Sequence, residues 1–214
     1  RGPAWTNSTT RSAGTALTLV NGIYLNNASI TNGPAASRGT YVGTIGSNGT
    51  STIDYIFPAV STNGTAGLFN VWNCYNRVDV AGFVGMSAVQ WTYAVANTWR
   101  QQNAQTSYNI AILRGLNEDG VSLTLTAQCQ PASATNAAIG IGLDSTTAAT
   151  GRPNYVQSSA TQVLPIYSAY DGYPGLGLHQ FNALEYNTST SASTFYGSGG
   201  TSYLQTGLGI RFRA

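Results

Sequence analysis

Charged side chains are scarce in this sequence. They make up 7% of the 214 residues, against roughly 25% in an ordinary soluble domain. Lysine is absent, all nine basic residues are arginine, and seven acidic residues leave a formal net charge of +2. So small and scattered a charge does not build a basic patch, and we expect no nucleic-acid partner. Disorder would also require low hydrophobicity, whereas 42% of the residues are hydrophobic, so the chain is expected to fold.

Cysteine and histidine are also rare. The two cysteines, Cys74 and Cys129, are too few for a disulfide scaffold or a zinc site. We expect both to be free and partly buried, with a disulfide between them as the alternative. No G-x-S-x-G nucleophile motif accompanies the single histidine, His179, which we interpret as a structural or surface residue rather than a catalytic base. Metal-binding spacings and phosphate-binding loops are missing, so no metal and no cofactor is predicted.

Long hydrophobic runs and recognisable carboxylate pairs are missing as well. No apolar stretch approaches the roughly 20 residues that cross a bilayer, so no membrane partner is expected. Among the seven acidic residues, no pair stands out as the two carboxylates of a glycosidase. The sequence therefore predicts a protein that is not an enzyme. A depolymerase or glycosidase that uses a carboxylate pair is the enzymatic alternative.

Short runs of β-branched and aromatic residues, bounded by turn residues, recur along the whole chain. Helical periodicity is almost absent. Asn-Gly pairs such as Asn21-Gly22 separate the runs and suit tight reversals. We predict about ten strands, at residues 16–20, 40–45, 51–57, 68–80, 89–95, 107–115, 121–129, 137–143, 178–186 and 208–214.

This spacing of strands, without helices between them, favours an all-β fold: an antiparallel β-sandwich of jelly-roll type. In the run at 121–129, Leu123 and Leu125 point to one side and Thr124 to the other, as in a strand with one buried face. Residues 110–113 are apolar on both faces. We expect a second layer or another subunit to cover that strand.

The predicted sandwich domain comprises residues 39–214. Residues 1–38 have a weaker pattern and are interpreted either as an extended N-terminal arm or as edge strands of the same sandwich. The polar segment at 144–162 is expected to be a long loop, a type of segment that is commonly functional.

Aromatic residues are plentiful, with 13 Tyr, six Phe and four Trp. Exposed aromatic rings beside polar side chains suit sugar binding, and they are also common at protein interfaces. We interpret the tryptophans, including Trp72, Trp91 and Trp99, as core or subunit-interface residues. The candidate ligand-binding residues are four loop tyrosines and a neighbouring acid: Tyr155, Tyr167, Tyr170, Asp171 and Tyr173.

The low charge also bears on partners. Charged residues are depleted at the centres of protein interfaces because their desolvation is costly. We therefore expect a homo-oligomer, with a trimer among the states considered, whose surface lies largely in protein contacts.

Six motifs stand in order along the chain: GTYVGTI (39–45), VWNCYNRV (71–78), WTYAVANTWR (91–100), GIGLDSTT (140–147), LEY (184–186) and TFYG (194–197). Together they resemble a family of tailed-bacteriophage virion proteins, over about residues 39–200. The resemblance implies a non-enzymatic structural protein at the virion surface, either a capsid decoration protein or a head fibre. Its implied partners are other virion proteins, such as the major capsid protein. The alternative is a tail-fibre or receptor-binding adhesin that recognises host-surface carbohydrate.

Overall fold

The runs of β-branched and aromatic residues form strands, because such side chains pack well on a pleated surface. A computed structural model describes residues 4–48, 52–58, 64–132, 134–157, 162–199 and 205–214, and these ranges contain 17 strands and two short 3₁₀ helices. The strands are β1 Leu17–Val20, β2 Ile23–Asn26, β3 Gly43–Ile45, β4 Tyr55–Ile56, β5 Gly67–Phe69, β6 Val71–Asn73, β7 Asp79–Gly85, β8 Gln90–Tyr93, β9 Thr98–Gln101, β10 Asn109–Arg114, β11 Val121–Gln130, β12 Asn136–Leu143, β13 Asn154–Gln157, β14 Leu164–Gly172, β15 Gly177–Asn187, β16 Ser193–Tyr196 and β17 Gly207–Arg213. The 3₁₀ helices are Ala13–Thr15 and Gln102–Ala104. Within the described ranges, no helix combines the length and the apolar character needed to span a membrane.

Most of these strands belong to two six-stranded sheets. The first has the order β13-β12-β15-β10-β5-β4 and is antiparallel except where β10 runs parallel to β5. The second has the order β7-β17-β11-β16-β8, and β14 pairs with the other edge of β11. Strand β11 is long enough to pair with β17 through residues 122–126 and then with β16 through residues 128–130.

The two sheets pack against each other around one hydrophobic core. Strand β12 of the first sheet contacts β11 and β14 of the second, and β10 contacts β17. Strand β11 shows the predicted alternation, since Leu123 and Leu125 are buried while Thr124 is exposed. The fully buried core side chains include Ile110, Ile112, Ile139, Ile141 and Phe181 from the first sheet and Val84, Leu125 and Leu208 from the second. The fold is an all-β antiparallel sandwich, which confirms the predicted fold class.

Strand β10 is covered on both faces, as its apolar sequence predicts. Ile110 and Ile112 point into the core, and Leu113 on the opposite face is buried as well. The small two-stranded sheet of β3 and β6 lies against β10. Both faces of this strand are therefore covered by residues of the same chain.

Residues 4–38 fold around a hairpin of their own. Strands β1 and β2 pair through the predicted Asn21-Gly22 turn, in which both residues have positive φ (50° and 81°). The hairpin forms a two-stranded sheet apart from the two large ones. The hydrogen bonds that fasten this segment to the sandwich include those from Arg11 Nη2 to the Gly115 carbonyl (2.7 Å), from the Tyr24 hydroxyl to the Glu118 carboxylate (2.8 Å) and from the Leu178 amide to the Ser8 carbonyl (2.8 Å).

Strand β14 has no counterpart among the predicted strands. Its buried face carries Ile166, Ser168 and Tyr170, and the Ser168 hydroxyl donates to the Arg152 carbonyl (2.8 Å). A serine on the buried face weakens the hydrophobic alternation by which strands are predicted. The predicted loop at 144–162 contains β13, and residues 158–161 of it lie outside the described residues.

Both cysteines are free and buried, as expected. Burial raises the pKa of Cys129 to about 12. The Cys129 side chain therefore remains a neutral thiol at physiological pH and packs as a small apolar group.

Candidate functional site

Three of the four candidate tyrosines lie on neighbouring strands rather than in loops. Tyr155 belongs to β13, Tyr167, Tyr170 and Asp171 belong to β14, and Tyr173 follows the end of β14. Strands β13 and β14 contact each other. Tyr155, Tyr167 and Tyr173 are 63%, 50% and 65% exposed. These three rings are accessible to a ligand.

Tyr170 and Asp171 are already engaged by protein groups. The Tyr170 ring is 7% exposed and packs on Phe181, with ring centroids 5.1 Å apart, and burial raises the pKa of its phenol. The Asp171 carboxylate forms an exposed ion pair with Arg152 (2.5 Å) and accepts a hydrogen bond from the Ser122 hydroxyl (2.7 Å). Tyr170 is therefore a core residue, and this placement corrects the expectation of an exposed ligand-binding ring.

Tyr155 lines a cleft together with two rings that the sequence did not nominate. Trp99 of β9 and Tyr186 of β15 line the same depression, with their ring centroids 4.9 Å apart. Its volume is about 200 Å³. We call this depression, defined by Trp99, Tyr155 and Tyr186, the aromatic cleft. Tyr167 and Tyr173 are not among the described residues that line it.

Trp99 differs from the other two tryptophans interpreted as packing residues. Trp72 and Trp91 are buried in the core, as expected, whereas Trp99 is only partly buried. Its indole lies directly over Gly140 of β12, where a Cβ atom would come within 3.1 Å of two ring carbons. Glycine at this position permits the close approach of ring and strand. The same ring can therefore pack on the sheet and line the aromatic cleft.

Polar side chains border the aromatic cleft, and one of their buried atoms lacks a partner. Asn154 Oδ1 accepts a hydrogen bond from the Tyr155 amide (2.8 Å), and the Thr188 hydroxyl accepts one from the Asn136 amide (3.0 Å). The Asn136 Oδ1 atom is buried and has no hydrogen-bond partner among the described residues. An unsatisfied buried acceptor costs about 1–3 kcal/mol.

An ion pair beneath the aromatic cleft joins the strands that carry its rings. Arg100 follows Trp99 on β9, and Glu185 precedes Tyr186 on β15. Because neighbours on a strand point to opposite faces, both charged side chains point away from the cleft rings. Arg100 Nε donates to Glu185 Oε1 (2.7 Å), and the Trp91 indole N–H donates to Glu185 Oε2 (2.5 Å). Glu185 thereby ties β8 and β9 to β15.

Glu185 is a structural carboxylate. It is fully buried, and burial raises its pKa from 4.5 to about 7, against the opposing effect of donors on Trp91, Arg100 and the Asn103 backbone. The Asn103 amide donates to Oε1 over 3.1 Å. With both oxygens occupied and none of its surface exposed, Glu185 is placed to hold the strands under the cleft.

His179 is buried and forms a polar pair with the half-exposed Asp144. Its Nδ1 donates to Asp144 Oδ2 (2.7 Å), its Nε2 lies 3.3 Å from the Leu176 carbonyl oxygen, and Asp144 Oδ1 accepts from the Gln180 amide (2.8 Å). Asp144 has a φ of +53° at the reversal after β12. The pair therefore stabilises this reversal.

Within the described ranges, no three His, Cys, Asp or Glu side chains are grouped so that they could hold a metal ion. Comparison with known proteins assigns no family, because no protein-family model and no curated protein matches the chain. The aromatic cleft is the feature from which a function can be argued.

Proposed function

We propose that this protein is a non-enzymatic structural protein on the surface of a bacteriophage particle, and that it binds host-surface carbohydrate through the aromatic cleft. The phage setting rests on the resemblance carried by the six motifs. The binding role rests on one observation: three aromatic rings from separate strands meet beside amide and hydroxyl groups in a single depression. The binding role corresponds to the adhesin that the sequence leaves as the alternative function. Of the candidate ligand-binding residues it retains Tyr155, and it adds Trp99 and Tyr186.

The chemistry of the aromatic cleft suits a sugar. A sugar ring presents an apolar C–H face and a polar rim of hydroxyl groups. Trp and Tyr offer large rigid apolar surfaces at low conformational cost, and amides and hydroxyls can bond the rim. Trp99 packs on Gly140, and the Glu185–Arg100 pair holds its strand from beneath. Little ordering is then required when the ligand binds, which favours affinity.

Removing single rings tests the binding role. Trp99→Ala and Tyr155→Ala each delete one apolar wall, and we expect each to weaken glycan binding by at least roughly tenfold, as for a central anchor residue. Binding is measured on a glycan array and then by calorimetry with the glycan that gives the strongest signal. Tyr173→Ala is the matched control, because Tyr173 is equally exposed and does not line the cleft. Saturable binding that survives both cleft substitutions would contradict the proposal.

The phage setting requires a separate test on purified particles. Antibody-gold label at the tail end would support the attachment role. Label spread over the head would support a capsid decoration protein or head fibre. If no particle carries label, the proposal of a virion protein fails, whereas the glycan-binding experiment remains valid.

Capsid decoration is the second candidate, and an exposed apolar pair favours it. Ile45 of β3 and Val71 of β6 are paired across the small sheet, and they are 64% and 37% exposed. Phe57, close to edge strand β4, is exposed as well. Exposed apolar groups of this kind mark protein contacts when they are contiguous. The proposed partners are further copies of this chain and other virion proteins such as the major capsid protein.

A further inference from the structure

We infer that a depression on the outer face of the second sheet binds a phosphate group through Arg211 and Arg213 of β17. This depression shares no lining residue with the aromatic cleft, and the inference does not depend on the proposed function. It follows from one guanidinium that has no acidic partner among the described residues, a second one that is paired only loosely, and the space that both of them line.

Strand β17 places the two arginines on the same exposed face. Ile210 and Phe212 are buried in the core, whereas Arg211 and Arg213, which alternate with them, are exposed. Two residues that share a strand face in this way have Cα atoms about 7 Å apart, so both guanidinium groups can reach one small ligand. Both line an open depression of about 380 Å³ together with residues of β7 and β11. We call it the arginine depression.

Arg211 has uncharged residues on both sides in the sheet. Its cross-strand neighbours are Ala81 on β7 and Ser122 on β11. The nearest acid beyond Ser122 in this row is Asp171, whose two oxygens are occupied by the Ser122 hydroxyl (2.7 Å) and by Arg152 (2.5 Å). Among the described residues, no carboxylate forms an ion pair with Arg211. Its guanidinium is therefore available to an anion from solution.

Arg213 is held only loosely by its acidic neighbour. Its Nε lies 3.4 Å from Asp79 Oδ1, and the two side chains are 54% and 92% exposed. Its Nη2 donates to the Arg77 carbonyl over 3.4 Å. Exposed ion pairs of this kind contribute little to stability. An incoming anion can therefore replace the Asp79 carboxylate at Arg213 at little cost.

Phosphate is the anion that best fits these groups. The planar guanidinium fork matches the oxygens of both phosphate and carboxylate. A phosphate monoester carries a charge of about −1.5 to −2 near neutral pH and three free oxygens, so it can accept hydrogen bonds from two guanidinium groups. A carboxylate ligand carries the same charge as Asp79 and gains less from replacing it. The group can come from inorganic phosphate or from a phosphorylated sugar.

Calorimetry at low ionic strength tests the ligand class, because salt screens charges in an open site. The probes are inorganic phosphate, a hexose phosphate, a hexuronic acid and the unmodified hexose. We expect saturable binding of both phosphates and weaker binding of the uronic acid. Tighter binding of the hexose phosphate than of inorganic phosphate would identify a phosphorylated sugar as the ligand. Equal binding of the two would identify the phosphate group alone.

Two substitutions should change phosphate binding in opposite directions. Arg211→Gln should weaken it by roughly tenfold, because it removes charge-assisted hydrogen bonds. Asp79→Asn should strengthen it, because it removes the carboxylate that competes for Arg213. Arg38→Gln is the matched control, since it removes the same charge from an exposed arginine that does not line the depression. Thermal unfolding followed by circular dichroism checks that the variants remain folded.

Three results would overturn the phosphate site. They are the absence of saturable phosphate binding, binding of the uronic acid as tight as that of phosphate, and equal losses in Arg211→Gln and Arg38→Gln. The last result would mean that phosphate responds only to net charge. Glycan binding at the aromatic cleft is tested separately by Trp99→Ala, so either proposal can fail without the other.

Discussion

Glu185 has no exposed surface in a chain that otherwise uses few charges. Its carboxylate accepts hydrogen bonds from Trp91, Arg100 and the Asn103 amide, which favour the ionised form, while burial favours the protonated form. Burial has the larger effect, since the pKa is raised to about 7. At the scale of single residues, the aromatic cleft is therefore supported by a group that titrates near neutral pH.

The stability of the protein should depend on pH through Glu185. The folded state binds the Glu185 proton more tightly than the unfolded state, whose pKa is close to 4.5. The free energy of unfolding should therefore fall as pH rises from about 4.5 to about 7, by at most about 3 kcal/mol, and this contribution is fully present only below pH 4.5. Urea denaturation at a series of pH values measures the slope.

Glu185→Gln is the control for this prediction. It removes the titrating group, so the fall in stability between pH 4.5 and 7 should be smaller than in the wild type. Its lower absolute stability is a separate effect, because the Gln Nε2 cannot accept a hydrogen bond from its donor neighbours. A wild-type stability that rises over this pH window would show that the ion pair with Arg100 outweighs burial.

The strands around the aromatic cleft depend on one close approach. Strand β9 reaches β12 through Trp99, whose indole lies over Gly140. A Cβ at Gly140 would also come within 2.8 Å of the Ala149 Cβ, so the space is closed on a second side. At the scale of elements, close packing therefore explains why glycine occupies an interior position of β12. Glycine loses more conformational entropy on folding than other residues and would otherwise weaken the strand.

Gly140→Ala should therefore destabilise the sandwich by about 1–3 kcal/mol, as overpacking of a closed site does. It should also displace the Trp99 indole, which a shift of the tryptophan fluorescence would report. Gly120→Ala is the matched control, because its Cβ would meet nothing closer than 3.8 Å. Equal melting temperatures for the two variants would show that β9 moves aside freely.

The whole molecule combines a well-filled sandwich core with exposed apolar side chains outside it. Phe69, Ile110 and Leu125 are fully buried, whereas Ile45 and Val71 are exposed as a cross-strand pair. Desolvating such a pair in a protein contact is favourable, and the low overall charge opposes association only weakly. The surface is therefore suited to assembly.

We expect a native mass of several chains at micromolar concentration, measured by size-exclusion chromatography with light scattering. Ile45→Ser should shift the distribution toward the monomer, because it removes half of the exposed apolar pair from a contact. Thr92→Ser, at an exposed position of β8, serves as the control. A sharp species of 22.4 kDa for the wild type would contradict the expectation of a homo-oligomer.

Features that depend on neighbours along the chain can be predicted from local sequence. The alternation of Leu123, Thr124 and Leu125 predicts a half-buried strand, and Asn21-Gly22 predicts a tight hairpin, because side-chain direction and turn geometry are local properties. The position of Tyr155 in a polar segment made it a candidate ligand-binding residue, and its ring is exposed. Strand β14 was missed, since Ser168 on its buried face is satisfied by a carbonyl distant in sequence.

The grouping of residues into a site depends on tertiary packing. The aromatic cleft takes Trp99, Asn136, Tyr155 and Tyr186 from four strands, and no spacing along the chain relates them. Tertiary packing also placed Tyr170 in the core and left the Asn136 oxygen without a partner. Burial and hydrogen-bond satisfaction depend on which strands pair and which faces meet. Strand pairing and sheet packing therefore determine the site, while the local pattern determines the strands from which it is built.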